Sequence, residues 1–251
     1  MADFAVILPA AGRSTRFGDP NRKKVEAELD GRAVWLRAAD AFVGRDDVRQ
    51  VVVAIAPEDR EQFMARHGAV IAFLGIAVVD GGAERFDTIE RALAAVDPAC
   101  EFVAIHDAAR PCVTGPVIDA VFAAAREHGA ALPGLAVADT LKRVGPNRRV
   151  VETVSRAGLY GVQTPQAFRL ELLVRAYAAR SRDGSGPAIT DDAQLVEAIG
   201  HPCVVVEGSA ANLKITTRAD LRLAEAILKA GQAPNRAAPA HPIADDPSDW
   251  P

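Results

Sequence analysis

The chain is short of the residues that build several common kinds of site. Its 251 residues include three cysteines, Cys100, Cys112 and Cys203. That is an odd number with no C-x-x-C spacing, so neither a zinc site nor a disulfide framework is indicated. Positive charge is not in excess either, since 29 lysines and arginines face 33 aspartates and glutamates for a net charge of −4. This excludes a nucleic-acid binder that relies on a broad basic face, and any cations that matter must act locally. Long apolar runs are missing too. The N-terminus, MADFAVILPAAG, has no basic leader, and its apolar stretch is too short for a signal peptide or a membrane span. A reducing cytoplasm, away from membranes, is the expected location. The first loop has neither the GK[ST] ending of a P-loop nor a G-x-G-x-x-G fingerprint.

What is present reads as one α/β domain. The 49% hydrophobic and 25% charged fractions are globular averages, and the length is ample for a core. Phe4 to Leu8 is a short β-branched apolar run and reads as a buried strand; Gln50 to Ala56, Ile76 to Asp80, Phe102 to Ile105, Ala130 to Val137 and Cys203 to Glu207 follow as further strands. Helical spacing falls between them. One helix begins at Gly31, with Val34, Trp35, Ala38, Ala41 and Phe42 in register; another begins at Pro57 and is closed by Gly68. Later helices are expected near 85–96, 115–127, 168–179, 191–199 and 219–230. Strand alternating with helix is the grammar of a mostly parallel sheet covered on both faces.

Two segments depart from this rhythm. Residues 138–161, ADTLKRVGPNRRVVETVSRAGLYG, are polar with a Gly-Pro-Asn turn, and read as a projecting β-hairpin arm. An isolated hairpin is marginal in water, so the arm is expected to pack on a second subunit in a symmetric homodimer. The segment 232–251 is rich in Pro, Ala and Asp and is expected to be a disordered tail, leaving 1–231 as the domain.

The chemistry is expected at the end of the first strand. In FAVILPAAGRSTRFGDPNRKK, residues 4–24, Pro9 and Gly12 stop the strand, and five of the next twelve residues are basic: Arg13, Arg16, Arg22, Lys23 and Lys24. A cationic loop at the C-terminal end of a central strand suits a polyphosphate. HDAARP, residues 106–111, places Asp107 at the end of another strand, where it could hold a divalent cation with Arg110 facing the same cleft. Read alone, Asp107 could equally cap a helix with Arg110 paired to it on the surface. His106, flanked by apolar residues, reads as structural.

Together with VVDGGAERFDTI, VADTLKR, LYGVQTPQ, ITDDA and NLKITT, in that order, these segments resemble the 2-C-methyl-D-erythritol 4-phosphate cytidylyltransferase family, from Val6 to about Ala230. The resemblance implies a three-layer Rossmann-like nucleotidyltransferase fold with a projecting β-arm. It also implies transfer of CMP from CTP to 2-C-methyl-D-erythritol 4-phosphate, with Mg2+ or another divalent cation held by Asp107. A related framework acts on ribitol 5-phosphate, the nearest alternative. The resemblance assigns catalytic roles to Arg16, Lys24, Arg156 and Lys214. It assigns CTP binding to Pro9, Ala10, Ala11, Gly12, Arg16, Lys23, Lys24, Gly82, Glu84, Arg85, Thr88, Asp107 and Lys214. The substrate phosphate and polyol fall to Asp107, Arg110, Asp139, Thr140, Lys142, Arg156, Thr164 and Thr190, with Arg156 reaching across from the opposite subunit. The run Arg22-Lys23-Lys24 departs from the family's Pro-Lys pattern, so Lys24 is favoured and Lys23 stays open. A phosphate monoester dianion attacks without a base, which leaves charge neutralisation and alignment as the work of such residues.

Overall fold

Strand β1 (Phe4–Pro9) is buried on both sides, and its alternation defines the layers of the domain. Phe4, Val6 and Leu8 join one core with Trp35, Phe42, Phe63 and Phe122, while Ala5 and Ile7 join a second core with Ile89, Leu93, Phe168 and Leu173. Both faces of the strand are therefore apolar, as a parallel strand between two helical layers requires. The computed structural model describes residues 3–12, 17, 23–180 and 189–232.

After β1 come a small hairpin, β2 (Glu28–Leu29) and β3 (Arg32–Ala33), then α1 (Val34–Asp40), β4 (Val48–Ile55), α2 (Arg60–Leu74), β5 (Ala77–Asp80), α3 (Arg85–Leu93), β6 (Phe102–Ile105) and α4 (Gly115–His128). The second half holds β7 (Ala130–Ala136), β8 (Leu141–Val144), β9 (Val150–Val154), β10 (Tyr160–Val162), β11 (Gln166–Arg169), α5 (Leu170–Ala178), α6 (Asp192–Ala198), β12 (Val204–Glu207) and α7 (Arg218–Gln232). β1 pairs parallel with β4 on one side and β6 on the other, and β4 pairs parallel with β5. β11 then runs antiparallel between β6 and β7, β10 continues antiparallel along β7, and β12 lies parallel to β7. The result is a three-layer α/β fold on a mostly parallel sheet.

Several expected boundaries move, each for a local reason. Gly31 does not start a helix; at φ 76° it turns the β2–β3 hairpin, and α1 follows at Val34. α2 passes through Gly68 and closes at Gly75, whose φ of 65° gives the left-handed cap, because the apolar face continues to Ile71. Phe168 is in strand β11, not at the start of a helix. Ala167 and Phe168 are both buried, one on each face of the sheet, and two adjacent apolar residues fit the start of a helical stripe equally well. Asn212–Ile215, which reads as a short extended segment, joins no sheet, and its Ile215 amide bonds the Ala109 carbonyl at 2.8 Å. The arm is an antiparallel β8–β9 pair closed by a turn at Gly145–Arg149. Its Val144, Val150 and Val151 are exposed, and none joins a core cluster. The expected tail lies outside the described residues apart from Gln232.

Phe122 carries one face of this packing, fully buried and stacked on Phe4 with ring centroids 3.7 Å apart. Phe122→Ala is expected to cost ~3–5 kcal/mol, read as a lowered urea midpoint at unchanged slope.

Candidate active site

The parallel strands β1, β4, β5 and β6 end along the same edge of the sheet, and the chain following each end forms one wall of a cleft. Its volume is about 650 Å³, within the ~300–1,000 Å³ usual for small-molecule sites. Pro9–Gly12 follow β1, Ala56–Glu58 follow β4, Gly81–Thr88 follow β5 and Asp107–Ala109 follow β6, with Lys24 and Lys214 closing the sides. After β5 the chain crosses to the opposite side of β1 to form β6, the kind of switch point at which open α/β sheets bind ligands.

The wall after β5 is built around absent side chains. A Cβ on Gly81 would stand 2.8 Å from the Ala11 Cβ, and one on Gly82 would stand 2.4 Å from the Asp87 Cβ. The Gly81 carbonyl accepts from Arg91 at 2.7 Å, and the Gly82 amide donates to the Thr88 hydroxyl at 3.0 Å. Thr88 in turn donates to the Glu84 carbonyl at 3.0 Å, so its hydroxyl is engaged within this turn. Arg85 is a cation on the first turn of a helix, where the backbone dipole disfavours it unless an anion is near. It has that anion in the protein, because its guanidinium meets the buried carboxylate of Asp192 at 2.6 Å.

At the floor, Asp107 is not a helix cap; α4 begins only at Gly115. Lys214 Nζ lies 2.9 Å and Arg110 Nε 3.3 Å from the same oxygen, Oδ2. Burial alone would raise the Asp107 carboxyl, but Lys214, Arg110 and Arg85 outweigh it and hold the group well below the usual carboxylate range. Arg110 also donates to the Asn212 carbonyl at 2.7 Å, which fastens the Asn212–Ile215 strap beneath the floor. The Arg110 side chain is no more buried than that of Asp107, which it flanks. Thr164, expected to touch substrate, is buried. Its hydroxyl accepts from the Asp107 amide at 3.0 Å and pairs with His106 Nδ1 at 3.2 Å. A hydroxyl that accepts from the amide has its own proton to give to Nδ1, so His106 carries its hydrogen on Nε2, which donates to the Arg110 carbonyl at 3.0 Å.

Of the residues expected for CTP, Pro9, Ala10, Ala11, Gly12, Lys24, Gly82, Glu84, Arg85, Thr88, Asp107 and Lys214 line the cleft together. Lys23 does not, and forms an ion pair with Asp59. Arg16 lies outside the described residues, as do Arg13 and Arg22. Asp139, Thr140, Lys142 and Arg156 are exposed on the arm and its flanks, and the ammonium of Lys142 donates to Thr153 at 2.6 Å. Thr190 is exposed and bonded to Gln194 through its amide at 2.9 Å. Neither the arm residues nor Thr190 reach the cleft of their own protomer. Sequence reasoning missed Glu58 and Arg91. The end of β4 carried the same signal as the end of β1, but Pro57 drew attention to a helix start instead.

His106 gives this site a pH signature. Burial pushes its imidazole down from 6.5 to about 4, against the hydrogen bond to Arg110 that works the other way. The folded chain resists protonation while the unfolded chain accepts it, so this contribution is intact above about 6.5 and is lost as pH falls toward 4, amounting to ~3 kcal/mol. Denaturation midpoints measured from pH 7 to 4.5 should fall, and the fall should be shallower in His106→Gln; equal slopes in the two proteins would overturn the assignment.

Comparison with known proteins places this geometry. The family model described as IspD, 2-C-methyl-D-erythritol 4-phosphate cytidylyltransferase, matches residues 4–230. A 2-C-methyl-D-erythritol 4-phosphate cytidylyltransferase of Rhodopirellula baltica is 44% identical over 238 residues, covering 90% of this chain and 95% of the relative. One from Frankia casuarinae is 43% identical over 227 residues, covering 89% and 80%. The crystal structure of the Thermus thermophilus enzyme of that name superposes with a TM-score of 0.73 at 34% identity, covering 91% of this chain and all (100%) of that one. With its motifs gathered at one cleft and its match running the length of the domain, the chain belongs to the 2-C-methyl-D-erythritol 4-phosphate cytidylyltransferase family.

Proposed function

We propose that this cleft transfers CMP from CTP to the phosphate of 2-C-methyl-D-erythritol 4-phosphate. A phosphate oxygen of the polyol substrate forms a bond to the α-phosphorus of CTP as the bond to the bridging oxygen of the β-phosphate breaks, and pyrophosphate leaves with that electron pair. The observation that carries the reading is the Lys214–Asp107 pair on the cleft floor, facing the Pro9–Gly12 loop. Fixed cations around a glycine-rich strand end are what a triphosphate needs, and they stabilise the charge that gathers as pyrophosphate departs.

In this reading the turn formed by Gly81, Gly82 and Thr88 carries the base and ribose, and Lys24 and Lys214 meet the phosphates, together with Arg16. The residue set also fits a divalent cation. Among the described residues both cations paired with Asp107 use its Oδ2, so its second carboxylate oxygen could serve as a ligand. Among the described residues no group of three His, Cys, Asp or Glu side chains could cage a metal alone. Mg2+ suits such a place, since it is commonly held by one or two carboxylates plus substrate phosphates. When bound it would neutralise phosphate charge. We further propose a homodimer in which the arm carries Arg156, and with it Asp139, Thr140 and Lys142, to the partner's polyol phosphate. The exposed valines of the arm support this, being an apolar patch left uncovered among the described residues. The three unpaired cysteines accord with a cytoplasmic enzyme, and among the described residues no helix is long and apolar enough to cross a membrane.

Pyrophosphate release from CTP and Mg2+ should require 2-C-methyl-D-erythritol 4-phosphate and should be far slower with ribitol 5-phosphate; release with neither would leave a silent nucleotide binder. Lys214→Ala and Arg16→Ala should each lower kcat by ~10²–10³-fold while the fold persists by circular dichroism. Arg156→Ala should slow turnover without changing the mass seen by sedimentation. An active monomer at full rate would remove the cross-subunit role.

A further inference from the structure

Among the described residues the second half of the chain supplies only Lys214 to the cleft wall, yet it holds one wall residue in place from behind. Asp192, the first residue of α6, is fully buried (0% exposed). Its Oδ2 accepts from Arg85 Nη2 at 2.6 Å and its Oδ1 accepts from the Tyr177 hydroxyl at 2.5 Å. Burial, reinforced by Asp192, pushes the Tyr177 hydroxyl far up, so it remains a donor. The end of α6 is itself locked to the sheet. Gln166 of β11, 1% exposed, donates to Asp191 at 2.9 Å and accepts from the Ala193 amide at 3.1 Å. Arg85, separated from Asp192 by 107 residues of sequence, stands on the first turn of α3 with its side chain 30% exposed in the cleft wall. Its Nη1 is shielded from solvent and has no hydrogen-bond partner among the described residues.

We propose that Asp192 is a positioning residue for nucleotide binding: it anchors the Arg85 guanidinium in the wall that receives CTP, with Tyr177 fixing the carboxylate in turn. The inference rests on the reading that CTP occupies this cleft. The physical case turns on which escape is easier once the anion is gone. A buried carboxylate must be matched by charge, and Arg85 is the one cation bonded to Asp192 among the described residues. Conversely, a guanidinium that loses its anion is better hydrated than buried, and the cleft is the open direction for Arg85. Neutralising Asp192 therefore releases Arg85 from the wall and disorders the nucleotide side, while Lys214, Asp107 and the polyol side keep their contacts. A role in folding alone would lower the denaturation midpoint of the variant and leave the affinity of its folded fraction unchanged.

CTP affinity should be measured by calorimetry with Mg2+ and no polyol phosphate, alongside the steady-state constants. Asp192→Asn is expected to weaken CTP binding and raise its KM about tenfold, with kcat and the KM for 2-C-methyl-D-erythritol 4-phosphate within about twofold. Tyr177→Phe, which removes one hydrogen bond and no charge, should shift CTP the same way by about threefold. It keeps the question open to test if Asp192→Asn does not fold. Because Asp192 acts through Arg85, adding Asp192→Asn to Arg85→Lys should cost far less than the product of the two single effects. Unchanged CTP affinity in folded Asp192→Asn or in Tyr177→Phe, or single effects that simply multiply, would overturn the proposal. Failure of the underlying reading looks different: the unmodified enzyme would then neither bind CTP nor release pyrophosphate.

Discussion

A buried carboxylate has to be matched by charge, and Asp107 is matched by two cations that reach it from different directions. Arg110 comes from the turn directly after it, and Lys214 comes from a strap near the far end of the chain. The strap is held because Arg110 also grips the Asn212 carbonyl, and because the Asn212 side chain donates to the Thr164 carbonyl at 2.8 Å. Thr164 in turn supports the Asp107 amide. The loop is closed: Asp107, Arg110, Asn212 and Thr164 each orient another, and the cations beside the carboxylate keep it ionised against its burial. Preorganised charge of this sort is worth more than the same charge on mobile side chains, since nothing has to reorganise when substrate charge appears. Arg110 and Thr164, expected at the substrate, thus also hold Asp107 and the strap in place.

The cleft itself is a consequence of strand direction. Where parallel strands end side by side, their last carbonyls and following loops face the same way, and a side chain at the end of any one of them enters a shared space. The close approach of Gly81 to Ala11 shows how tightly the loops of β5 and β1 are drawn together. Any Cβ there would push the two walls apart. Strand β11, running antiparallel between β6 and β7, starts at this end, where Gln166 and Thr164 just before it hold α6 and Asp107 from behind. The sheet is thus divided into a parallel part that displays loops and an antiparallel part that buttresses them.

Sequence legibility follows the same division. β1, β6 and the Val51–Ile55 part of β4 are apolar without interruption, so each reads as a buried strand from composition alone, and the residues after β1 and β6 read as a site because strand ends in such folds bind ligands. β11 resists that reading. Its adjacent Ala167 and Phe168 point to opposite faces of the sheet, both apolar, and the run continues without a break into α5. Gly68 misleads in a similar way, because glycine ends a helix only where φ turns positive, as it does at Gly75. Within the site, backbone-lined positions such as Pro9–Gly12 were legible from their motif. What escaped was pairing at long range: a poor first-turn arginine signals the need for an anion, but nothing local says whether that anion belongs to a ligand or to Asp192.

The arm poses a problem that its own protomer does not solve. A two-stranded hairpin has only cross-strand pairs to stabilise it, such as Arg143 with Glu152 at 2.5 Å, and exposed ion pairs of that kind contribute little. Val150 and Val151 are 60% and 67% exposed, so the hairpin also carries apolar surface that water disfavours. Its cations meanwhile lie away from the cleft where the chemistry assigned to them would occur. In the homodimer proposed above, a single contact with a second copy would answer both demands, covering the valines and carrying Arg156 toward a cleft. Two-fold symmetry would then make the exchange reciprocal, each arm completing the polyol side of the other protomer's site. The proposed nucleotide side, by contrast, is built from strand ends and held from behind by the protomer's own α6, so in such a dimer the two substrates would meet at a boundary between what one chain supplies and what its partner supplies.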